Sequence, residues 1–251
     1  MIDRACLSVN NRCNLTCRYC NFRQMDLIAN DEALNEDDIE VILNNLLDYC
    51  KKRGVSTFKI GIVGAGEPLL DFNKIKHAIE YAKLEDHDNI FVFYTITIFY
   101  TITNGTLVNK DMLSFFFDNK RRIILNFSLD GYEKIHNYGK QEFNKTFCAI
   151  KMYTDIFKEN PVLNCTVSRQ TLKYREAVVD FFVKQGFKNV NFSQLVDVRD
   201  NDLEITHEEF LHFLQFVKSK NAITFRQNRN EKNMTAVLMD NYAVWDALIY
   251  S

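Results

Sequence analysis

The hydrophobic positions of this chain follow two alternating periods, one typical of helices and one typical of strands. From Glu36 to Arg53, apolar residues recur every three or four positions, which predicts an amphipathic helix capped by Gly54. Short apolar runs rich in β-branched and aromatic residues separate the helical segments and predict strands. The six predicted strands span residues 5–9, 57–63, 90–103, 122–128, 162–168 and 189–195.

Helical segments follow the predicted strands, and this order determines the expected fold. Alternating strands and helices are typical of βα units around a parallel sheet. The expected fold class is α/β. Six units favour a partial (βα)6 TIM-like barrel, an open three-quarter barrel with parallel strands, over a complete eightfold barrel. After the first helix, the others span residues 72–83, 110–118, 143–158 and 172–185, and a last one begins at Thr206 with the capping box Thr206–Glu209.

The predicted barrel accounts for most of the chain. Residues 1–200 are expected to form one core domain, because α/β barrels commonly reach the length of this chain without subdividing. Residues 201–251 are expected to hold the last helix and an irregular tail, either a remnant or the start of a C-terminal extension. From Asn221 onward the pattern predicts no helix or strand.

A tandem copy lies within the third predicted strand. The sequence Phe-Tyr-Thr-Ile-Thr at residues 93–97 recurs at residues 99–103. The two copies are offset by an even number of residues, so each side chain keeps its face of the strand. We expect one copy to pair within the barrel and the other to extend beyond it or to bulge.

Composition and charge narrow the possible partners. The 251 residues carry a formal net charge of −2, and no basic stretch is interleaved with aromatic residues. Nucleic acid is therefore not expected as a partner, because phosphate binding needs a field of Lys and Arg. No apolar run is long enough for a membrane span and no signal peptide precedes Cys13, so no membrane association is expected. The odd number of cysteines, seven, argues against a disulfide scaffold and indicates a reducing cytoplasm.

Three of these cysteines lie close together after the first predicted strand. Cys13, Cys17 and Cys20 have the spacing Cys-x3-Cys-x2-Cys, which lets three sulfurs converge on one iron–sulfur cluster. Three protein ligands on a four-iron cluster leave one iron open. An open coordination position permits chemistry, whereas a saturated cluster serves storage or electron transfer.

Two other interpretations of the three thiols remain open. A structural zinc site closes with four ligands, usually as two separated Cys pairs, and no Cys or His follows Cys20 at a fitting distance. Clustered cysteines also occur simply as small core residues. Core packing is the interpretation of the remaining cysteines, which lie at apolar positions of predicted strands or helices: Cys6, Cys50, Cys148 and Cys165.

Glycines follow the ends of the second, third and fourth predicted strands. Gly64 and Gly66 follow the second strand, Gly105 the third and Gly131 the fourth. In a parallel barrel, ligands bind at the carboxyl ends of the strands, on loops where the backbone must approach closely. Each glycine alone is also consistent with a tight turn. Together with the three-thiol loop, they indicate one ligand-binding rim.

With these motifs the chain resembles the radical S-adenosylmethionine (SAM) enzymes, from about residue 5 to residue 195. The later motifs are most similar to the subgroup of peptide and protein maturases that includes anaerobic sulfatase-maturating enzymes. The motifs are Cys13-x3-Cys17-x-Tyr19-Cys20, Gly-Glu-Pro at 66–68, Thr-Asn-Gly-Thr-Leu at 103–107, Ser-Leu-Asp-Gly at 128–131 and Ile-His-Asn at 135–137.

The resemblance implies a pair of cofactors and the residues that hold them. Cys13, Cys17 and Cys20 would hold a [4Fe–4S] cluster whose free iron chelates the amino and carboxylate groups of SAM. Reductive cleavage of SAM would give a 5′-deoxyadenosyl radical that abstracts hydrogen from the substrate, shielded inside the barrel. The implied SAM contacts are the backbone at Gly66, Glu67 and Pro68 for the amino group, the main chain at Tyr19 and the side chain of Leu195 for adenine, and polar contacts from Asn104 and Ser128.

Three departures from the family pattern bear on these expectations. Ala65 replaces the first glycine of the usual Gly-Gly-Glu-Pro, with Gly64 one residue earlier. Lys140 stands near the place where many relatives carry Arg, and Lys makes no bidentate pair with a carboxylate. Peptide maturases usually carry a cysteine-rich C-terminal extension for auxiliary clusters, but no Cys follows Cys165. The chain is thus expected to be shortened or to work with one cluster.

Two polar residues of the same rim have two candidate roles each. His136 is a candidate acid or base that faces the substrate, although a structural loop residue is the more ordinary role of a histidine. Asp130 either contacts the substrate or forms a turn. Neither is assigned as catalytic.

The sequence therefore predicts a radical SAM enzyme, of the oxidoreductase and peptide-maturase type, that modifies a peptide or protein side chain. A low-potential donor such as flavodoxin or ferredoxin would supply its electrons. One alternative keeps the chemistry but acts on a small molecule or nucleotide, or activates a glycyl-radical partner. A second alternative is a non-enzymatic, metal-stabilised binding protein, which would have a fourth cluster ligand and no SAM turnover.

Overall fold

In the computed structural model the described residues are 4–24, 34–56, 58–62, 66–85, 99–196, 202–220, 224–225 and 236–237. The chain divides into two compact units. The first unit comprises Met1–Asn14, Met25–Thr103 and Leu107–Asn126. The second unit comprises Leu15–Gln24, Asn104–Thr106 and Phe127–Ser251.

Parallel strands form the sheet of the first unit. Strand β1 (Arg4–Cys6) pairs with β2 (Lys59–Ile62), and β2 pairs with β3 (Phe99–Thr103). The pairing continues beyond β1, because the Leu7 amide donates to the Gly61 carbonyl at 2.8 Å. The loop after β1 therefore leaves the sheet at its carboxyl edge, where the first of the clustered cysteines follows.

Three long helices belong to the first unit: α2 (Glu36–Arg53), α3 (Phe72–Glu85) and α4 (Lys110–Asp118). Helices α2 and α4 have the bounds that the hydrophobic period predicts. Helix α2 ends at Gly54, whose φ of 65° is the left-handed conformation that favours glycine. The buried residues of α2 have helical spacing and form its core face: Ile39, Leu43, Leu47 and Cys50.

Parallel strands also organise the second unit. Strand β4 (Ile123–Ser128) begins in the first unit and ends in the second, where it pairs with β5 (Leu163–Val167). Strand β5 in turn pairs with β6 (Val190–Gln194), with Cys165 opposite Phe192. Side chains of β5 alternate between buried and half-buried positions, so one face of the strand packs in the core and the other is more open.

Helices cover the buried face of these strands. On β6, the Phe192 ring lies 6.0 Å from that of Phe182 and 5.3 Å from that of Phe213, measured between ring centroids. Such edge-to-face contacts add to the free energy gained by burying the rings. The helices of the second unit are α1 (Asn21–Gln24), α5 (Glu133–Gly139), α6 (Phe143–Phe157), α7 (Arg169–Lys173), α8 (Arg175–Lys184) and α9 (His207–Ser219).

The structure corrects two helical predictions. The helix predicted at residues 172–185 is divided at Tyr174 into α7 and α8, and α7 begins earlier because Ser168 caps it. Helix α5 lies in a segment for which no helix is predicted from the pattern. It has only seven residues, about two helical turns, so its hydrophobic period is too short to be recognised in the sequence.

The prediction of no element from Asn221 onward is wrong at two places. Strands β7 (Thr224–Phe225) and β8 (Ala236–Val237) form an antiparallel pair, and β8 also pairs with β6. Two residues are too few for an alternating pattern. Their strand character comes from backbone pairing, which the sequence pattern does not report.

Two further predictions concern the hexamer repeat and the scattered cysteines. The second copy of the repeat forms β3, while the first copy lies outside the described residues. Cys50 and Cys165 are buried, as core packing requires, but Cys6 and Cys148 are exposed, so the core interpretation is wrong for those two. An apolar position on a strand or helix does not ensure burial when that side faces solvent.

Within the ranges given above, every helix is too short or too polar to cross a bilayer.

Candidate cofactor site

The three clustered thiols lie on the loop that follows β1. Cys13 belongs to the first unit, and Cys17 and Cys20 belong to the second. Each is partly exposed, and the cysteines of the described ranges form no disulfide. In the same ranges, no three Cys, His, Asp or Glu side chains are grouped as in a formed metal site. The assignment of these three cysteines as cluster ligands therefore stays a prediction.

The donor set nevertheless fits an iron–sulfur cluster. Thiolates are the ligands that such clusters take in proteins. The three thiols of the loop are accessible to solvent, in contrast to the buried thiols of Cys50 and Cys165. An incoming cluster could thus reach them without disrupting the core.

The Gly-Glu-Pro motif packs against the beginning of the same loop, within the first unit. The Glu67 amide donates to the Arg12 carbonyl at 2.7 Å, and Asn10 Nδ2 donates to the Glu67 carbonyl at 3.1 Å. A Cβ placed on Gly66 would lie 2.0 Å from the Arg12 carbonyl oxygen. Only glycine permits this approach, so the motif determines the path of the backbone just before Cys13.

The Glu67 side chain has a structural role in the same unit. It is only 3% exposed, and its Oε1 accepts from the Leu69 amide at 3.1 Å and from Thr103 Oγ1 at 2.7 Å. These bonds cap a short 3-10 helix (Pro68–Asp71), whose first residue, Pro68, is buried. The carboxylate, the amide and the carbonyl of Glu67 are thus all bonded within the first unit, and the backbone contact of this motif with SAM stays a prediction.

Asn104 forms the turn after β3, in the second unit. Its Oδ1 accepts from the Thr106 amide at 2.9 Å and from Thr106 Oγ1 at 2.7 Å. Its carbonyl accepts from Thr146 Oγ1 at 2.6 Å. Gly105 follows with a φ of 80°, a conformation that favours glycine. Asn104 is thus held in place at a strand end, and its contact with SAM stays a prediction.

Ser128 and Asp130, at the end of β4, meet the side chain of Lys140. Lys140 Nζ lies 2.9 Å from Asp130 Oδ1 and also donates to Ser128 Oγ. Asp130 Oδ1 accepts in addition from the Thr166 amide at 2.9 Å, and Asp130 Oδ2 accepts from the Tyr19 hydroxyl. Asp130 therefore neither faces solvent nor merely forms a turn.

The Tyr19 side chain lies between several parts of the second unit. Its ring packs against Leu195 and Leu203, and a Cβ on Gly139 would lie 2.5 Å from Tyr19 Cε1. Burial, and then the charge of Asp130, raise the pKa of the Tyr19 hydroxyl well above its ordinary value. The hydroxyl is therefore protonated and donates to the carboxylate. The expected adenine contact, Leu195, is here a neighbour of the Tyr19 ring.

The cysteine loop is also held through its backbone. The Arg18 amide donates to the Gly139 carbonyl at 2.9 Å, and the Arg18 guanidinium lies 4.5 Å from the centre of the Tyr138 ring. Thr16 Oγ1 contacts Gln141 Oε1 at 3.4 Å. Residues at the end of α5 thus form the surface on which the segment between Cys17 and Cys20 lies.

His136 has the ordinary structural role, although on a helix rather than a loop. It is 1% exposed, its Nδ1 accepts from the Asp130 amide at 3.3 Å, and its Nε2 bonds the Gln141 carbonyl at 3.1 Å. Burial is the main cause that lowers the pKa of His136 to about 4. The imidazole is neutral near pH 7, with its proton on Nε2.

The sequence did not reveal the role of α5 or of Gly139. The contacts between the cysteine loop and α5 or Asp130 join residues more than a hundred positions apart, such as Arg18 with Gly139 and Tyr19 with Asp130. The available signal was Gly139 itself, because a glycine allows another part of the chain to approach the backbone closely.

The profile of the Radical SAM superfamily matches residues 7–196 of this chain. The chain belongs to the radical SAM superfamily. The superfamily comprises enzymes that use a [4Fe–4S] cluster and SAM, and these are the cofactors of this chain. The similarity to radical SAM enzymes expected from the motifs is thereby confirmed.

Among curated relatives of this radical SAM protein is a cysteine-type anaerobic sulfatase-maturating enzyme of Clostridium novyi. It is 29% identical over 197 residues, which are 75% of this chain and 50% of the relative. This chain thus spans about half the length of that relative. The predicted similarity to the subgroup that includes such maturases is confirmed.

Solved radical SAM structures show the fold. The structure of anSMEcpe with bound AdoMet and the Cp18Cys peptide has a TM-score of 0.72 and 19% identity, and the match covers 86% of this chain and 59% of that one. The Streptococcus suis protein SuiB, bound to the precursor peptide SuiA, has a TM-score of 0.59 and 16% identity, with 88% and 47% covered. The predicted α/β fold, a partial (βα)6 TIM-like barrel with parallel strands, is confirmed.

Proposed function

We propose that this chain reductively cleaves SAM and uses the product to modify a side chain of a peptide or protein. Membership of the radical SAM superfamily carries the first part of the proposal. The second part is supported by the relatives, of which one is a sulfatase-maturating enzyme and others are solved with bound peptides. When bound, the cluster supplies the electron that cleaves SAM.

The residues proposed to hold the cluster are Cys13, Cys17 and Cys20. Their spacing, their partial exposure and their thiol state support this assignment. The loop that carries them is held before any ligand binds, by Gly66 and Glu67 in the first unit and by Tyr19 in the second.

The proposed SAM contacts are those that the motifs suggest. In the first unit, the Glu67 carboxylate is bonded within the protein, so the proposed contact with the SAM amino group falls to backbone carbonyls of the Gly-Glu-Pro motif. In the second unit, Ser128 lies beside the buried cation of Lys140, a pair suited to a carboxylate. The full proposed set is Tyr19, Gly66, Glu67, Pro68, Asn104, Ser128 and Leu195.

The proposal also covers the division of the chain into domains, the electron donor and the cellular compartment. Residues 1–200 would be the catalytic core, and residues 201–251 a following segment. A low-potential donor such as flavodoxin or ferredoxin would reduce the cluster. The cytoplasm is the compartment proposed, because its glutathione and thioredoxin systems keep thiols reduced.

Anaerobic reconstitution tests the SAM chemistry. We expect the protein reconstituted with iron and sulfide to show the visible absorbance of an iron–sulfur cluster and to form 5′-deoxyadenosine from SAM and dithionite. Cys17→Ala should abolish both the absorbance and the nucleoside, because it removes one of three ligands. The matched control is Cys148→Ala, which removes an exposed thiol outside the motif and should leave both unchanged. Persistence of cleavage in Cys17→Ala would overturn the ligand assignment.

The substrate class needs a second measurement. Short peptides encoded beside the gene are incubated with the reconstituted enzyme, and each is weighed by mass spectrometry. A mass change in a peptide, in step with 5′-deoxyadenosine, supports the proposal. If SAM is cleaved while every such peptide stays unmodified, and a small molecule or a partner enzyme is modified instead, the peptide substrate is wrong.

A further inference from the structure

Asp130 is fully engaged by groups from four places in the second unit. The carboxylate is 2% exposed. Its Oδ1 receives the Lys140 ammonium at 2.9 Å and the Thr166 amide at 2.9 Å, and its Oδ2 receives the Tyr19 hydroxyl. The Asp130 amide donates to His136 Nδ1 at 3.3 Å. Donors within the protein therefore bond both oxygens of this buried side chain.

A buried ion pair of this kind is weak evidence for stability by itself. Removing a carboxylate and an ammonium from water is unfavourable, and a well-packed apolar pair is often as stable. The free-energy cost of burying Asp130 and Lys140 is offset because additional donors bond the remaining lone pairs of the Asp130 carboxylate. These bonds hold the carboxylate in one position, so it can fix the groups that contact it.

One arm of the Asp130 network holds the cysteine loop. Tyr19 lies two positions after Cys17 and one before Cys20. Its hydroxyl is bound by Asp130, its ring is confined by Leu195 and Gly139, and the preceding amide is bound by the Gly139 carbonyl. A side chain fixed at both its ring and its hydroxyl restricts the positions that the two neighbouring sulfurs can take.

The other arm holds a cation beside Ser128. Lys140 Nζ donates to Ser128 Oγ while it pairs with Asp130. The two residues after Lys140, Gln141 and Glu142, have φ values of 93° and 58°, a backbone conformation that is unfavourable for residues other than glycine. Strain of this kind persists where the surrounding structure imposes it, and it is commonly found next to functional positions.

We propose that Asp130 is a positioning residue that orders the cysteine loop for the cluster and holds Lys140 beside Ser128. Through Tyr19 it restricts the loop by contacts within the protein, and through Lys140 it holds a cation beside Ser128, where the proposed function places the SAM carboxylate. The second role rests on the proposed function, because it takes SAM as the ligand. The first role depends only on contacts within the protein.

Amide hydrogen exchange of the metal-free protein tests the first role. Tyr19→Phe removes the hydroxyl bond and keeps the ring, so the fold should be retained. We expect exchange in residues 15–24 to accelerate by about tenfold or more, in line with the loss of a bond to a charged group. Exchange in Glu36–Arg53 of the first unit should be unchanged. Tyr81→Phe removes a tyrosine hydroxyl that accepts from Asn44 Nδ2 in the first unit, and residues 15–24 of this control should exchange at the wild-type rate.

Electron paramagnetic resonance of the reduced cluster tests the second role. The spectrum of each protein is recorded while SAM is added. In Tyr19→Phe we expect a changed spectrum before SAM and a midpoint of the SAM response about tenfold higher, because a loosened loop misplaces the cluster. In the double variant Asp130→Asn/Lys140→Met, which leaves no unpaired charge, the midpoint should rise by a similar factor. A role confined to folding would lower the amount of cluster without changing the spectrum or the midpoint.

The outcomes separate this proposal from the proposed function. If Tyr19→Phe exchanges its loop amides at the wild-type rate, the ordering role of Asp130 is wrong, whatever the enzyme does. If the exchange changes as expected but the wild-type cluster gives no response to SAM, the proposed function is wrong, and so is the second role. Unchanged spectra and midpoints in both variants, beside a normal wild-type response, overturn the second role alone.

Discussion

Gly66 illustrates how one atom can determine a loop. Its α-carbon faces the Arg12 carbonyl, and an added methyl group would lie 2.0 Å from that oxygen. Backbone atoms cannot rotate away as a side chain can, so the loop before Cys13 would have to move. The glycine of the motif is therefore explained by contact within the protein, before any cofactor is considered.

Gly66→Ala should lower the free energy of unfolding by about 2–3 kcal/mol, the range of overpacked positions. Gly54→Ala is the matched control. Its Cβ would meet nothing within 4 Å, but its φ of 65° should cost about 1 kcal/mol. Chemical denaturation of the metal-free proteins measures both values. Equal losses in the two variants would contradict the close approach at Gly66.

At the same scale, protonation of His136 makes the free energy of unfolding depend on pH. Its pKa is about 4 in the folded protein and 6.5 in the unfolded chain, so protonation favours unfolding. The stabilisation is fully present above pH 6.5 and is lost progressively as the pH falls toward 4. Between these limits the wild type should lose about 3 kcal/mol through this group.

The measurement is the free energy of unfolding at pH 7.0 and about pH 4.5, in wild type and in His136→Gln. The variant should lose about 2–3 kcal/mol less than the wild type over this interval, because it carries no titrating group there. His212→Gln, which removes an exposed histidine of α9, is the control. The same pH dependence in wild type and His136→Gln would show that His136 is not buried in the neutral form.

At the scale of elements, helix α9 shows how a short signal determines a helix start. Thr206 Oγ1 accepts from the Glu209 amide at 3.2 Å, and Glu209 Oε2 accepts from the Thr206 amide at 2.8 Å. This reciprocal pair satisfies two amides that a helix start leaves open. The same motif in the sequence predicts the start correctly.

Thr206→Ala should destabilise the protein by about 1 kcal/mol, the usual effect of removing such a cap. Thr206→Ser keeps the hydroxyl and should stay within a few tenths of a kcal/mol of the wild type. Thermal unfolding of the three proteins compares them. A loss in Thr206→Ser as large as that in Thr206→Ala would assign the effect to the lost methyl group.

Elements differ in how far the sequence predicts them. Helices α2 and α4 have a regular hydrophobic period, and Gly54 follows the last residue of α2, so their bounds were predicted. Helix α5 has seven residues and no side-chain hydrogen bond at its N-cap, so neither signal marks it. The division between α7 and α8 depends on Tyr174, whose backbone leaves the helical region for reasons that a local pattern does not contain.

At the scale of the whole molecule, the motifs predicted the family and the parallel αβ order, because both follow from residues close in sequence. The Asp130 network was beyond such reasoning. It joins Tyr19, Lys140 and Thr166 to one carboxylate, and only the tertiary fold brings these residues together. The sequence placed Asp130 after the fourth strand, as in the structure, but the roles expected for it were a substrate contact or a turn.

The antiparallel pair at the end of the described chain has a consequence for solubility in the crowded cell. Strand β8 occupies the hydrogen-bonding edge of β6, opposite Asn191 and Phe192. An exposed strand edge is a template on which a second chain can add, and such edges promote self-association. By pairing with Asn191 and Phe192, β8 blocks the addition of a second chain at these two positions of β6.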